Sequence, residues 1–176
     1  MTDARYPIGP FETPTAPATP EIRLAFIEQL DEAPGRLRAA VKGMTELQLD
    51  TPYRAGGWTV RQLVHHVPDS HINAYTRFKL ALTEQNPDIK TYEEDRWANL
   101  PDVRSVPVET SLTLLEALHG RWVALLQALD ADDFTRTFQH PESGAFTIDR
   151  ALAMYAWHGR HHVAHVTTLK TLRGWC

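Results

Sequence analysis

A chain of 176 residues, 43% hydrophobic and 23% charged, has the length and composition of one soluble globular domain with a sizeable core. Its formal net charge of −4 comes without a basic stripe, which argues against nucleic-acid binding and against an anionic membrane surface. No stretch approaches the roughly 18 apolar residues of a membrane span, and the opening MTDARYPIGP lacks the apolar core of a signal peptide, so a cytoplasmic protein is expected.

Residues 1–20 carry Pro7, Pro10, Pro14, Pro17 and Pro20. Proline fixes φ and steers the residue before it away from helix, so residues 1–19 read as an extended arm. Tyr6, Ile8 and Phe11 are its apolar anchors onto the body. A first helix starts at Thr19-Pro20, an N-cap followed by a proline suited to the first helical position. It carries Ile22, Leu24, Ile27, Leu30, Leu37 and Val41, with an irregularity expected at Pro34-Gly35. A second helix opens after Gly56-Gly57-Trp58 and runs to about Thr83, with Thr59 and Gln62 in a capping-box pattern.

Asn86 to Arg104, with Pro87 and Pro101, reads as a long loop. A third helix starts near Ser105-Val106-Pro107 and runs to Leu129, with Leu112, Leu115, Leu118, Trp122, Leu125 and Leu129 at helical spacing. Residues 134–148 alternate weakly and turn at Pro141 to Gly144, as a short hairpin would. A fourth helix starts near Thr147 and stops before Gly174, a good C-terminal stop residue. Cys176, the single cysteine, closes the sequence, so no internal disulfide is possible, and a reducing cytosol suits it. Together these elements make one all-α domain: a four-helix bundle over about residues 20–174 with an extended Pro-rich N-terminal arm. The long connections 2–3 and 3–4 predict neighbours that are not consecutive in sequence. Such bundles commonly build metal sites from facing helices.

Histidines are the chemically distinctive residues. Four of the nine fall in AWHGRHHVAH, residues 156–165. At about 100° per residue, Leu152, Tyr155, Gly159, Val166 and Leu169 share one arc of the last helix. His162 lies within that arc and His158 at its edge; His165 is intermediate and His161 points away, toward solvent. His158 and His162 are also four apart, a spacing that lets two imidazoles converge on one ion. Two ligands make a weak site, so a third must come from another helix. His65, His66 and His71 on the second helix, His119 on the third, and acidic residues are all open to that role. On the second helix Val60, Leu63, Val67, Ala74, Phe78 and Ala81 set the apolar arc. His66 lies about 60° outside its nearer edge and heads a polar row with Ser70, Asn73 and Arg77. His65 faces solvent, whereas His71 and His119 read as buried histidines bonded to neighbours, and His140 as a loop residue. Pro68 removes a backbone bond and predicts a kink near His66.

The stretches YPIGPF (6–11), LDTPYRAGGWTVRQLVHHVPDSHINAYTRFKLALTE (49–84), HGRWVALL (119–126), HPES (140–143) and YAWHGRHHVAH (155–165) resemble the DinB-like superfamily, and within it the YfiT/BstA type. In that family a ligand histidine follows the Trp-Thr-Val-Arg opening of helix two by eight residues, which is His66 here. The family's terminal His-x-x-x-His pair falls on His158 and His162. Pro68 departs from the family pattern. The resemblance implies a DinB four-helix fold, one divalent ion per subunit (zinc, with nickel as the alternative) on His66, His158 and His162, and a homodimer. It also implies one of two activities. Some relatives transfer a thiol such as bacillithiol to electrophilic substrates; others are described as metal-dependent hydrolases.

Three histidines leave an open coordination position, as catalytic rather than structural zinc sites do. In the preferred reading a bound thiol becomes a thiolate nucleophile, and no protein nucleophile is needed. In a hydrolase, water takes that position and a carboxylate general base is wanted, for which Asp69 and Glu142 are the local choices. Asp69 is also a potential carboxylate partner of His66. Arg160, Trp157, Tyr155 and Asn73 lie close enough in sequence to shape a pocket. A third reading keeps the ligands without catalysis.

Overall fold

The structure, a computed structural model, describes residues 3–175; Cys176 lies outside the described residues. Helix α1 spans Pro20–Val41, capped by the Thr19 side chain, which accepts from the Ile22 N–H. It runs unbroken through Pro34-Gly35, correcting the expected irregularity. Pro34 has no N–H to offer the Leu30 carbonyl one turn earlier. Nδ1 of His119 meets that carbonyl instead, at 2.6 Å. Ile22 and Leu24, in the first turn, stay outside the core at 46% and 54% exposure.

A single turn, α2 (Glu46–Leu49), precedes α3 (Val60–Thr83), whose N-terminus carries the predicted Thr59/Gln62 capping box. Pro68 is buried inside α3, and the helix continues past it to Thr83. The segment read as one long loop contains two short helices, α4 (Glu94–Trp97) and α5 (Asp102–Ser105). Four-residue helices leave no hydrophobic period to detect, which is why the sequence hides them. Helix α6 covers Val108–Gln127. A 3-10 turn at Asp133–Thr135 leads into the hairpin of β1 (Thr137–His140) and β2 (Gly144–Thr147), antiparallel with Thr137 opposite Thr147. Helix α7, Ile148–Arg173, ends on Gly174 in the left-handed region at φ +63°.

Helices α1 and α3 each pack against both α6 and α7. Going round the bundle the order is therefore α1, α7, α3, α6, with the consecutive pairs α1/α3 and α6/α7 on its diagonals. Crossing a diagonal takes more chain than turning back beside a neighbour, which accounts for the connections α1–α3 and α6–α7. The longest connection, residues 84–107, joins the neighbours α3 and α6, correcting the expectation for that pair, and carries α4 and α5 instead. Gly159 marks a close approach of α7 to α1: a Cβ there would stand 3.0 Å from that of Ala33. One apolar cluster gathers around Trp122, Phe78, Leu30 and Ile148, and a second around Leu37, Leu63, Leu115 and Val166. Among the described residues no helix is long and apolar enough to cross a membrane.

The arm is tied down at both ends. The Gly9 carbonyl accepts from Trp157 Nε1 at 3.3 Å, and Phe11 packs on the Trp157 ring. At its far end, the Ala18 N–H donates to Asp149 Oδ2 at 3.1 Å. Arg23 grips the same carboxylate with both branches, Nε to Oδ1 at 2.7 Å and Nη2 to Oδ2 at 2.9 Å. Removing one partner of a buried pair strands the other charge. Asp149→Ala is therefore expected to lower stability by about 3 kcal/mol in urea unfolding. A change under about 0.5 kcal/mol, the size of a neutral surface substitution, would contradict this account.

Candidate metal centre

Helices α3 and α7 are neighbours in the bundle, and their shared face brings His66, His158 and His162 together. One ring nitrogen from each lies within 4.8 Å of those of the other two. Nε2 of His158 and Nε2 of His162 stand 3.1 Å apart, and the His66 ring centroid is 5.5 Å and 5.0 Å from theirs. The four-residue spacing on α7 sets the first of these distances; the pairing of α3 with α7 sets the others.

Burial makes the three rings neutral. It pulls His66 down to about 4 from the ordinary histidine value, and Asp95 opposes this only weakly. His158 and His162 are driven well below the ordinary value, by burial first and then by neighbouring imidazoles. A neutral imidazole offers a lone pair to a cation at neutral pH without first losing a proton. The donor set therefore fits a divalent transition metal: three neutral nitrogen donors within 4.8 Å of one another, with no protein carboxylate among them. Nδ1 of His162 is buried without a protein partner.

The cluster opens into a cleft of 400 Å³ bordered by Tyr53, Arg54, Trp58, Glu94, Asp95 and Trp157. Trp58 packs its ring 4.6 Å from His66, and its Nε1 donates to Asp95 Oδ1 at 2.9 Å. Burial, reinforced by Asp95, raises the Glu94 carboxyl above its ordinary value. Of these six residues the sequence marks only Trp157 as shaping the site; Trp58 it marks as the lead-in to a helix and the start of the family motif that points to His66. Chain segments 53–58 and 94–95 meet over the cluster because α4 folds back on the start of α3, which no spacing pattern encodes.

Several sequence expectations change here. His161 and His65 do not face solvent; they are only 8% and 6% exposed. Trp157 stacks on His161 at 4.4 Å and the arm residue Tyr6 lies 6.1 Å away, while His65 Nδ1 meets Ser111 Oγ of α6 at 2.7 Å. A helical wheel counts only the bundle core; the arm and α6 cover the remaining faces. His165 is buried too, 4.2 Å from the Tyr53 ring, and its Nε2 is 3.1 Å from that of His161. Asp69 does not act as a carboxylate partner of His66. It borders a separate groove with Asn73, Arg77 and Trp97, and its carboxylate hydrogen-bonds to none of the histidines among the described residues. At three residues from His66 it is turned about 60° away around the helix. Glu142 is exposed in the hairpin turn, where His140 Nδ1 accepts from the Glu142 and Ser143 N–H groups. Arg160 is exposed, and its Nε donates to the Ala156 carbonyl one turn back. Tyr155 packs against the rings of His71 and His158.

A family model described as the DinB superfamily matches residues 29–166. A Bacillus cereus (strain 03BB102) protein named "Putative metal-dependent hydrolase" is 54% identical over 175 residues, covering 99% of this chain and 100% of the relative. Among solved structures, this chain is similar to YfiT from Bacillus subtilis, described as "a probable metal-dependent hydrolase with an unusual four-helix bundle topology". That match has 47% identity and a TM-score of 0.95, covering 98% of this chain and 99% of that one. TT2238, a four-helix bundle protein, shares the fold at 20% identity and a TM-score of 0.57, over 86% of this chain and 98% of that one.

Proposed function

This chain belongs to the DinB superfamily, and we propose that it is a metal-dependent enzyme in which His66, His158 and His162 hold a divalent cation, zinc or nickel, to activate a low-molecular-weight thiol such as bacillithiol for transfer to an electrophilic substrate. The observation that carries this reading is the donor set, three neutral imidazoles converging at the floor of a cleft. A cation bound there supplies Lewis acidity, which lowers the pKa of a coordinated thiol or water.

The ligand set and Arg54 fit a negatively charged nucleophile. No carboxylate stands among the ligands to cancel the cation's charge. Arg54, at the rim, offers a guanidinium to acidic groups of a carboxylate-bearing thiol. Trp58 and Trp157 give the cleft two apolar walls. In the transfer, sulfur bonds to the electrophilic carbon, the leaving group departs with its electron pair, and the thiol proton passes to solvent.

The hydrolase reading rests on the names of the relatives and on one residue, Glu94. Its carboxyl, at the rim of the cleft and raised above its ordinary value, is placed to accept a proton from water. One experiment separates the two. Zinc-loaded protein, bacillithiol and a generic electrophile are expected to form the thioether at least about 10-fold faster than with a His66/His158/His162 triple-alanine variant, the gain expected from raising the thiolate fraction at neutral pH. Equal rates for the two proteins sink the transferase. Ester or phosphoester turnover without thiol, lost in Glu94→Gln, would establish the hydrolase in its place.

A further inference from the structure

Behind the cluster, a line of buried side chains crosses all four long helices. Nδ1 of His158, on α7, lies 3.0 Å from Nε2 of His71 on α3. Nδ1 of His71 lies 2.7 Å from Nε2 of His119 on α6. Nδ1 of His119 lies 2.6 Å from the carbonyl oxygen of Leu30 on α1. His71 is 0% exposed and His119 is 1% exposed, so water does not interrupt the line.

This line has a direction. A carbonyl only accepts, and the helical N–H that would ordinarily occupy the Leu30 oxygen is missing because residue 34 is proline. His119 must therefore donate from Nδ1. A neutral imidazole carries one proton, so its Nε2 is bare and accepts from His71 Nδ1. The same logic at His71 leaves its Nε2 bare to accept from His158 Nδ1. The result at His158 is a protonated Nδ1 and a bare Nε2, the nitrogen that stands 3.1 Å from Nε2 of His162. Burial, the largest influence on all three rings, favours their neutral forms.

We infer that His71 and His119 are positioning residues for the metal centre: anchored on the carbonyl that Pro34 frees, they lock His158 in the tautomer and ring orientation that presents Nε2 to the cation. This rests on the metal reading of His66, His158 and His162. It also adds to it, because the outer partner of His158 is a neutral imidazole where such ligands often have a carboxylate. The outer partner of His158 then adds no negative charge to the cation, which favours an anionic co-ligand, such as a thiolate, in the cleft.

Two measurements test the relay, the first without metal. In metal-free protein with nitrogen-15-labelled histidine, NMR is expected to show Nδ1–H and bare Nε2 at His71, His119 and His158. An Nε2–H tautomer at His71 or His119 overturns the inference. In chelator competition, His71→Phe and His119→Leu are expected to weaken zinc binding by about 10–100-fold, the usual effect of removing an outer partner. His119→Gln restores affinity to near wild type, because its amide can donate to Leu30 and its oxygen accept from His71. A merely structural role would not follow that donor and acceptor pattern. Zinc affinity unchanged in both His71→Phe and His119→Leu overturns the positioning role while leaving the three-histidine site intact. Absence of zinc binding by the wild type would instead overturn the metal reading and, with it, the role assigned to the relay, even where the tautomers are as stated.

Discussion

His66→Ala and His162→Ala are each expected to lose stoichiometric metal, with zinc no longer stabilising the fold. With three imidazoles converging within 4.8 Å, each deletion leaves two, and an affinity loss of at least about 100-fold is the expected scale. A ligand that binds only the native state stabilises it by about 2.7 kcal/mol when present at 100 times its dissociation constant. In a protein of this size that shifts the melting temperature by roughly 5–10 °C. A 100-fold weaker variant at the same zinc concentration keeps only about 0.4 kcal/mol, or roughly 1 °C. His161→Ala is the control. Its ring stacks on Trp157 and lies outside the converging set, so it should retain one metal per chain. Elemental analysis of the purified proteins and melting with and without zinc provide the readout. Full metal content in both His66→Ala and His162→Ala would remove the assignment.

Metal-free protein is expected to lose stability steeply between about pH 6.5 and pH 4. Burial holds His66, His119, His161 and His165 near 4 in the folded chain. In the unfolded chain each titrates near the ordinary histidine value of about 6.5. Within that window the unfolded state therefore binds more protons, so the stability these rings contribute is complete above pH 6.5 and declines as pH falls toward 4. Each ring adds a slope of about 1.4 kcal/mol per pH unit. His66 and His119 alone would then cost at most about 6 kcal/mol over two pH units, comparable with the whole stability of many domains. Asp69 works against them: burial raises its carboxyl to about 6, so the folded state binds one proton more readily in part of the same window. Glu94, also raised, acts in the same direction, and the histidines outnumber the two carboxyls and still dominate. Urea midpoints measured from pH 4 to pH 7 with chelator present should rise with pH throughout. A flat profile would mean that the buried imidazoles are hydrated in solution.

How far the sequence reaches is clear from individual residues. Thr19, Thr59 and Gly174 mark helix ends because capping is local chemistry, settled within three or four residues of chain. The hairpin turn between Pro141 and Gly144 is legible for the same reason. The His158/His162 pair follows from helical geometry alone, while His66 was separated from His65, His71 and His119 only by resemblance to a family. Short helices α4 and α5 escaped because single turns have no period to read.

What depends on distant segments meeting was not legible. His161 and His65 are buried because the N-terminal arm and α6 cover faces that a helical wheel leaves open. Glu94, Asp95, Arg54 and Tyr53 reach the cleft only because their segments fold over α3 and α7. Pro34 looked like a break in a helix, yet it frees a carbonyl for His119, a partner 89 residues away in sequence. By itself, then, the sequence determined the four long helices, where they end, and that two histidines share one face, since those follow from local backbone and side-chain chemistry. Only the tertiary structure decided which faces meet, how His66, marked until then by resemblance alone, comes to the pair, and which other histidines stand behind it, because hydrogen bonds and burial between helices depend on the order in which the bundle packs them.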